Sequence, residues 1–234
     1  MSPTASGTGG DLGLAMIEIR NLRKEFVLNG VRKVVIDNLN MAVPDKTAVA
    51  LLGRNGAGKS TLLRILSGAM EPTSGEILST GSISWPVGFS GSFHPDLTGA
   101  QNTKFVARIY GIDTDSLEAF VRDFTKLGRS FYLPLRSYSS GMKSRLSFGL
   151  SMGVPFDTYL VDEVTSVGDE AFKKSSRDLF LARMKDAGSF VVNHSMRQVR
   201  ELCNVGIVLE HGRAVYYEDL EEAIAHHLHN MEAS

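Results

Sequence analysis

Thr47-Ala48-Val49-Ala50-Leu51-Leu52-Gly53-Arg54-Asn55-Gly56-Ala57-Gly58-Lys59-Ser60-Thr61 is the stretch that decides the fold of this 234-residue chain. Its first six residues are almost wholly apolar, the pattern of a strand covered on both faces at the centre of a parallel sheet. Gly53 to Ser60 then match G-x-x-x-x-G-K-[ST], and Leu62, Leu63, Ile65 and Leu66 continue at helical spacing. A chance glycine-rich turn would lack both flanks. Glycines let a backbone wrap an anion with consecutive N–H groups pointing inward, and the N-terminus of the following helix adds partial positive charge. Gly53, Arg54, Asn55, Gly56, Ala57, Gly58, Lys59, Ser60 and Thr61 are therefore expected to cradle the phosphates of a nucleotide. Lys59 should reach the β- and γ-phosphates, and Ser60 offers a hard oxygen to Mg²⁺.

A second apolar run, residues 158–161, delivers Asp162 and Glu163 at its carboxyl end, where open α/β sheets place their ligands. Asp162 is expected to hold Mg²⁺ through water. Glu163 is placed to polarise the attacking water, because the loose transition state of phosphoryl transfer asks mainly for positioning and charge stabilisation. Alone, such a pair would read as a solvated loop; the phosphate loop upstream changes that reading.

Working outward, residues 16–20 and 34–43 are strand-like and predict an antiparallel edge layer. Between residues 99 and 128 the spacing turns helical, with Leu117, Phe120, Val121, Phe124 and Leu127 three or four residues apart. Alternation then resumes: strand 158–161, helix 171–185, strand 189–193, helix 196–202, strand 205–209. The organisation predicted is a flexible tail over 1–15, an α/β domain over 16–217 with a helical insertion at about 95–155, and a terminal helix with a frayed end over 218–234.

Composition narrows the class. The net charge of −1 supplies no general attraction to nucleic acid or anionic lipid, and the 43% hydrophobic content suffices for a full core. Cys203 is the single cysteine, so no intrachain disulfide is possible, and it reads as a small buried hydrophobe. The opening residues lack the basic front and apolar core of a signal peptide. The densest apolar stretch, 146–154, falls well short of the roughly 20 residues a spanning helix needs. Any work at a membrane is expected to go through partners.

Many nucleotide hydrolases share the first two motifs, so the discriminating segment is Tyr138-Ser139-Ser140-Gly141-Met142, about twenty residues before Asp162. Read by itself it is a serine-rich helix cap; in order with the other motifs it resembles the LSGGQ signature of ABC ATPases, with Ser139, Ser140 and Gly141 at its centre. The resemblance implies an α/β P-loop NTPase cassette with a RecA-like parallel-sheet core, an antiparallel β edge layer and an inserted helical subdomain. It extends to Ser166-Val167-Gly168-Asp169 in the place of the dimer-contacting D-loop, with Asp169 near nucleotide. It also extends to His194 as the switch histidine at the γ-phosphate, and to Phe26 as the aromatic on which adenine stacks. Two departures stand out. Met142 replaces the usual glutamine of the signature, and the window 84–95 carries no Q-loop glutamine. Gln101 lies too far on to substitute, which leaves His94 as the polar residue to examine.

Ser82-Ile83-Ser84-Trp85-Pro86-Val87-Gly88, Leu97-Thr98-Gly99, Phe105-Val106-Ala107-Arg108, Arg145-Leu146 and Val161-Asp162-Glu163-Val164 resemble, within that family, the ATPase subunit of Gram-negative capsular polysaccharide exporters. This implies a head-to-tail homodimer with ATP between the copies, an integral membrane permease as partner and an export assembly beyond it in the periplasm and outer membrane. It implies no nucleic acid, and a peripheral location on the cytoplasmic face of the inner membrane. Export of teichoic acid or O-antigen is the alternative within transport; about 40 residues after His194 leave no room for the carbohydrate-binding domain that O-antigen relatives often carry. A soluble, non-transport ABC ATPase and a small-molecule kinase are the alternatives outside transport. His226, His227 and His229 read as the solvated face of the terminal helix rather than a metal site.

Overall fold

The computed structural model describes residues 16–88, 91, 93–162 and 170–232. The apolar run before the phosphate loop forms β3 (Ala48–Leu52), the inner strand of a six-stranded sheet. With β5 (Ile83–Pro86), β6 (Thr158–Asp162), β7 (Gly188–Val192), β8 (Val205–Glu210) and β9 (Arg213–Tyr217), the order is β5-β6-β7-β3-β8-β9. All neighbours run parallel except β9, which returns antiparallel to β8. A second sheet, β2-β1-β4, is antiparallel and built from β1 (Met16–Leu28), β2 (Val31–Pro44) and β4 (Ser74–Ser79).

Strand alternation splits the core into two clusters. Val49 and Leu51 of β3, Leu160 of β6, and Phe190 and Val192 of β7 face the antiparallel sheet. Between the sheets lies α1 (Lys59–Leu66), whose Leu62 and Leu63 are fully buried, each contributing about 1.5–3 kcal/mol of burial. Ala50 and Leu52, Tyr159 and Val161, and Val191 point to the other face. There they meet the helices α2 (Gly99–Ile109), α3 (Thr114–Thr125), α4 (Ser140–Gly153) and α5 (Glu170–Met184), with α6 (Met196–Leu202) and α7 (Leu220–Glu232).

Helices α2 to α4 lie between β5 and β6 in the chain, where the helical spacing predicts an insertion. Thr98 caps α2 in a reciprocal capping box with Gln101, and Asp113 caps α3 by accepting from the Ser116 amide at 2.8 Å. The α3–α4 seam is close: a side chain on Gly149 would meet Thr125, and one on Gly153 would meet Leu117 and Phe120. Buried Asn102 ties the approach to this unit. Its side chain accepts from the His94 amide at 3.0 Å and donates to the carbonyls of His94, Leu97 and Thr98.

Three strands escape the sequence reading. β4 exposes nearly every residue, β5 is a four-residue edge strand ending in Pro86, and β9 alternates only weakly, so none carries a strong periodicity. The expected tail, 1–15, lies outside the described residues. No described helix is long and apolar enough to cross a membrane.

Candidate functional site

The loop after β3 is shaped by steric necessity. Gly53 has φ +145°, and any side chain there would run into the Leu209 carbonyl of β8. Gly58, with φ +107°, opens α1 where a Cβ would lie 2.8 Å from Val35 Cγ1. The motif's glycines thus let the loop nest between β8 and β2. Lys59 turns back over it, its ammonium donating to the carbonyls of Gly53 at 2.5 Å and Arg54 at 2.8 Å. Its charge is therefore held at the loop's centre.

In front of this loop opens a cleft of about 370 Å³. The loop contributes Asn55, Gly56, Gly58, Lys59, Ser60 and Thr61; the ends of β6 and β7 contribute Asp162, Val192 and His194; the β1–β2 hairpin contributes Phe26, Lys33 and Val35. The convergence follows from strand order. β6, β7 and β3 are neighbours and parallel, so their carboxyl ends deliver Asp162, the approach to His194 and the phosphate loop to one edge. Phe26, 26 residues before the end of β3, arrives because the second sheet packs on α1. The ammonium of Lys24 lies 5.2 Å from its ring centroid.

Within the motif, Gly53, Arg54 and Ala57 do not line the cleft. Gly53 and Arg54 hold Lys59 through their carbonyls, and Ala57 packs against the apolar cluster beneath. The Arg54 guanidinium turns away from the expected phosphate position and donates to the Met231 carbonyl in the last turn of α7 at 3.4 Å.

Ser139, Ser140 and Gly141 lie outside the cleft of their own chain. Ser139 is the N-cap of α4, its hydroxyl accepting from the Met142 amide at 3.3 Å, and all three residues are exposed. The rest of α4, from Leu146 to Met152, is buried. Glu163 and Asp169 lie outside the described residues.

His94 does not line the cleft either; its ring Nδ1 accepts from the Asp96 amide at 3.3 Å, and Gln101 is engaged in the α2 capping box. In the Q-loop window, the Trp85 indole donates to Ser151 Oγ at 2.9 Å, and its ring packs with Tyr110 and Phe156. The histidines of α7 differ from the solvated face expected. His226 pairs with the Tyr217 hydroxyl at 2.8 Å, and His227 is half-buried, its pKa lowered by burial first and by the nearby Lys59 charge second. Only His229 of the three is exposed. Cys203 is buried at the end of α6, and burial pushes its thiol up to about 12, which agrees with an inert role.

Sequence reading overlooked Lys33 and Val35, which line the cleft. Their position depends on the β1–β2 register, which pairs Phe26 with Lys33 and is not legible from periodicity alone.

The donor set suits a small hard cation. Ser60 and the Asp162 carboxylate share the cleft, and among the described residues no group of three or more metal-ligating side chains gathers. That is the sparse protein contribution Mg²⁺ accepts, since it retains most of its waters.

Comparison with known proteins converges on this geometry. Residues 36–166 match the family described as ABC transporter. The polysialic acid transport ATP-binding protein KpsT of Escherichia coli is 46% identical over 212 residues, covering 89% of this chain and 95% of that protein. The capsule polysaccharide export ATP-binding protein CtrD of Neisseria meningitidis serogroup B is 41% identical over 208 residues, covering 89% and 96%. Relatives named for teichoic acid and O-antigen export match at 32–33%. In fold, the chain resembles a dimeric ATP-binding cassette solved in a post-hydrolysis state with ADP and Pi, with a TM-score of 0.70 at 19% identity, covering 86% of this chain and 98% of that one. A phosphate loop with its lysine poised, strand-end Asp162 and His194 in the same cleft, and this depth of similarity lead to one assignment: the chain belongs to the ABC transporter family, as an ATP-binding ATPase.

Proposed function

We propose that this chain is the ATPase subunit of an exporter of lipid-linked capsular polysaccharide, acting as a homodimer on the cytoplasmic face of the inner membrane beneath a separate permease. The observation that carries the ATPase half is the cleft that gathers Phe26, Lys59, Ser60, Asp162 and His194. The substrate half is supported by the identity to KpsT and CtrD, well above that to teichoic acid and O-antigen relatives.

In this reading adenine stacks on Phe26, and the phosphates take the inward N–H groups of residues 53–61. Lys59 exchanges its two carbonyl partners for β- and γ-phosphate oxygens. Ser60 and Asp162 would hold Mg²⁺, which supplies charge neutralisation across the phosphates when bound. Glu163 accepts a proton from the attacking water as its oxygen bonds to the γ-phosphorus. The bond from that phosphorus to the β-phosphate oxygen breaks, leaving ADP and inorganic phosphate. His194 contacts the γ-phosphate and reports its presence. Ser139, Ser140 and Gly141 of a second copy close the site, so ATP holds the two copies together until hydrolysis; Asp169 contacts that copy near the nucleotide.

The permease docks where α2 presents apolar side chains to solvent: Phe105 and Ile109 are more than half exposed, and Tyr110 packs at a tilt against Trp85 at the edge of the main sheet. Phe105→Asp together with Ile109→Asp should abolish co-purification with the permease while ATP binding persists; unaltered co-purification refutes this docking surface.

The decisive experiment replaces the native protein with Glu163→Gln in its own host and assays surface and internal glycan separately. Loss of surface polysaccharide with lipid-linked chains accumulating inside is the expected result. Unchanged glycan on both sides, with another process failing, refutes the polysaccharide assignment.

A further inference from the structure

The β1–β2 hairpin that brings Phe26 to the cleft is rich in cations, and nearly all are engaged. Arg23 pairs with Asp37 and Glu25, Arg32 with Glu25 at 3.2 Å, and Lys24 donates to the Glu71 carbonyl at 2.7 Å. Lys33 is the exception: its ammonium has no ion pair and no hydrogen bond among the described residues, yet it lines the nucleotide cleft. Its direction is set by the strand. Lys33 is the cross-strand partner of Phe26, and it lines the same cleft as Val35, which sits at the register irregularity of the β1–β2 pair. Val35 lies close against Gly58, the residue before α1, so this part of the hairpin borders the phosphate loop.

A cation left unpaired beside an aromatic platform, facing a loop built for phosphates, has an evident complement. We propose that Lys33 is a second nucleotide-binding cation, distinct from Lys59, which lays its aliphatic stem along the adenosine and directs its ammonium to the phosphate nearest the ribose. Lys59 serves the far end of the polyphosphate from the loop. Lys33 serves the near end from the hairpin, so both strands of the hairpin take part in nucleotide recognition. This rests on the nucleotide-site reading above.

The test separates charge from packing. Lys33→Arg, Lys33→Gln and Lys33→Glu are made in the full chain, with Lys59→Ala as a control, and ATP and ADP affinities are measured by calorimetry at low and high salt. Lys33→Gln should weaken both nucleotides about fivefold at low salt and less at high salt, as expected for an exposed charge-assisted contact. Lys33→Glu should weaken them further, and Lys33→Arg should restore binding. In hydrolysis the loss should fall on KM rather than kcat. Equal affinities across the series, while Lys59→Ala still loses ATP, overturn the role of Lys33 alone. A Lys59→Ala protein that binds ATP as well as the parent overturns the nucleotide-site reading itself.

Discussion

The phosphate loop and the signature segment are both glycine- and serine-containing starts of helices, yet the fold treats them oppositely. Gly58 and Gly53 are required by their own chain, because positive φ and close neighbours leave no space for a side chain. Lys59 is satisfied by two carbonyls, and the helix behind it is buried within two turns. A side chain added at Gly141 would meet Ser139 Oγ no closer than 4.0 Å, and no positive φ demands a glycine. An exposed helical glycine costs about 0.5–1 kcal/mol relative to alanine. Among the described residues no contact repays that cost, whereas close approach by a second copy would. The difference teaches that the shape of the phosphate loop is imposed by its own chain, whereas the glycine of the signature segment is not, which fits the proposal that a second copy uses it.

The contrast can be broken by substitution. Lys59→Ala strikes the self-contained half and should reduce ATP affinity about a hundredfold, since charge-assisted bonds to phosphate are lost; calorimetry with the isolated protein measures it. Gly141→Asp strikes the outward-facing half. ATP affinity of the isolated chain should hold within about twofold while ATPase turnover falls at least about tenfold, because a carboxylate would oppose the γ-phosphate across the dimer. Equal loss of affinity in both variants would erase the distinction between the halves.

The smallest effect concerns the C-terminal helix behind the loop. His227 is held below its ordinary value of 6.5 by burial and by Lys59. Above that value both folded and unfolded chains carry it neutral. Below it the unfolded chain takes up the proton first, so stability falls with falling pH until the folded state is protonated as well. His227→Gln should therefore flatten the decline in melting temperature between about pH 7 and pH 5. A decline that persists undiminished would assign it to other groups.

Much of this was legible before any coordinates. The apolar run of β3, the loop motif, Asp162 after β6 and the periodicity of α3 each rest on local spacing, which sterics and burial convert directly into structure. His226 and His227 depart from the expected solvated face because their surroundings are set by tertiary neighbours: Tyr217 of β9 receives His226, a contact with no local signal. β4 and β5 were missed because edge strands need little apolar alternation.

By itself the sequence determined the phosphate loop, the strand-end acid and the alternation of strands and helices around them, since those depend on residues adjacent in the chain. Tertiary structure alone decided that Arg54 turns to α7, that Lys33 joins Phe26 at the cleft, and that Gly141 faces outward. Those outcomes follow from strand register and sheet packing, which couple residues far apart in the chain and leave no trace in local spacing.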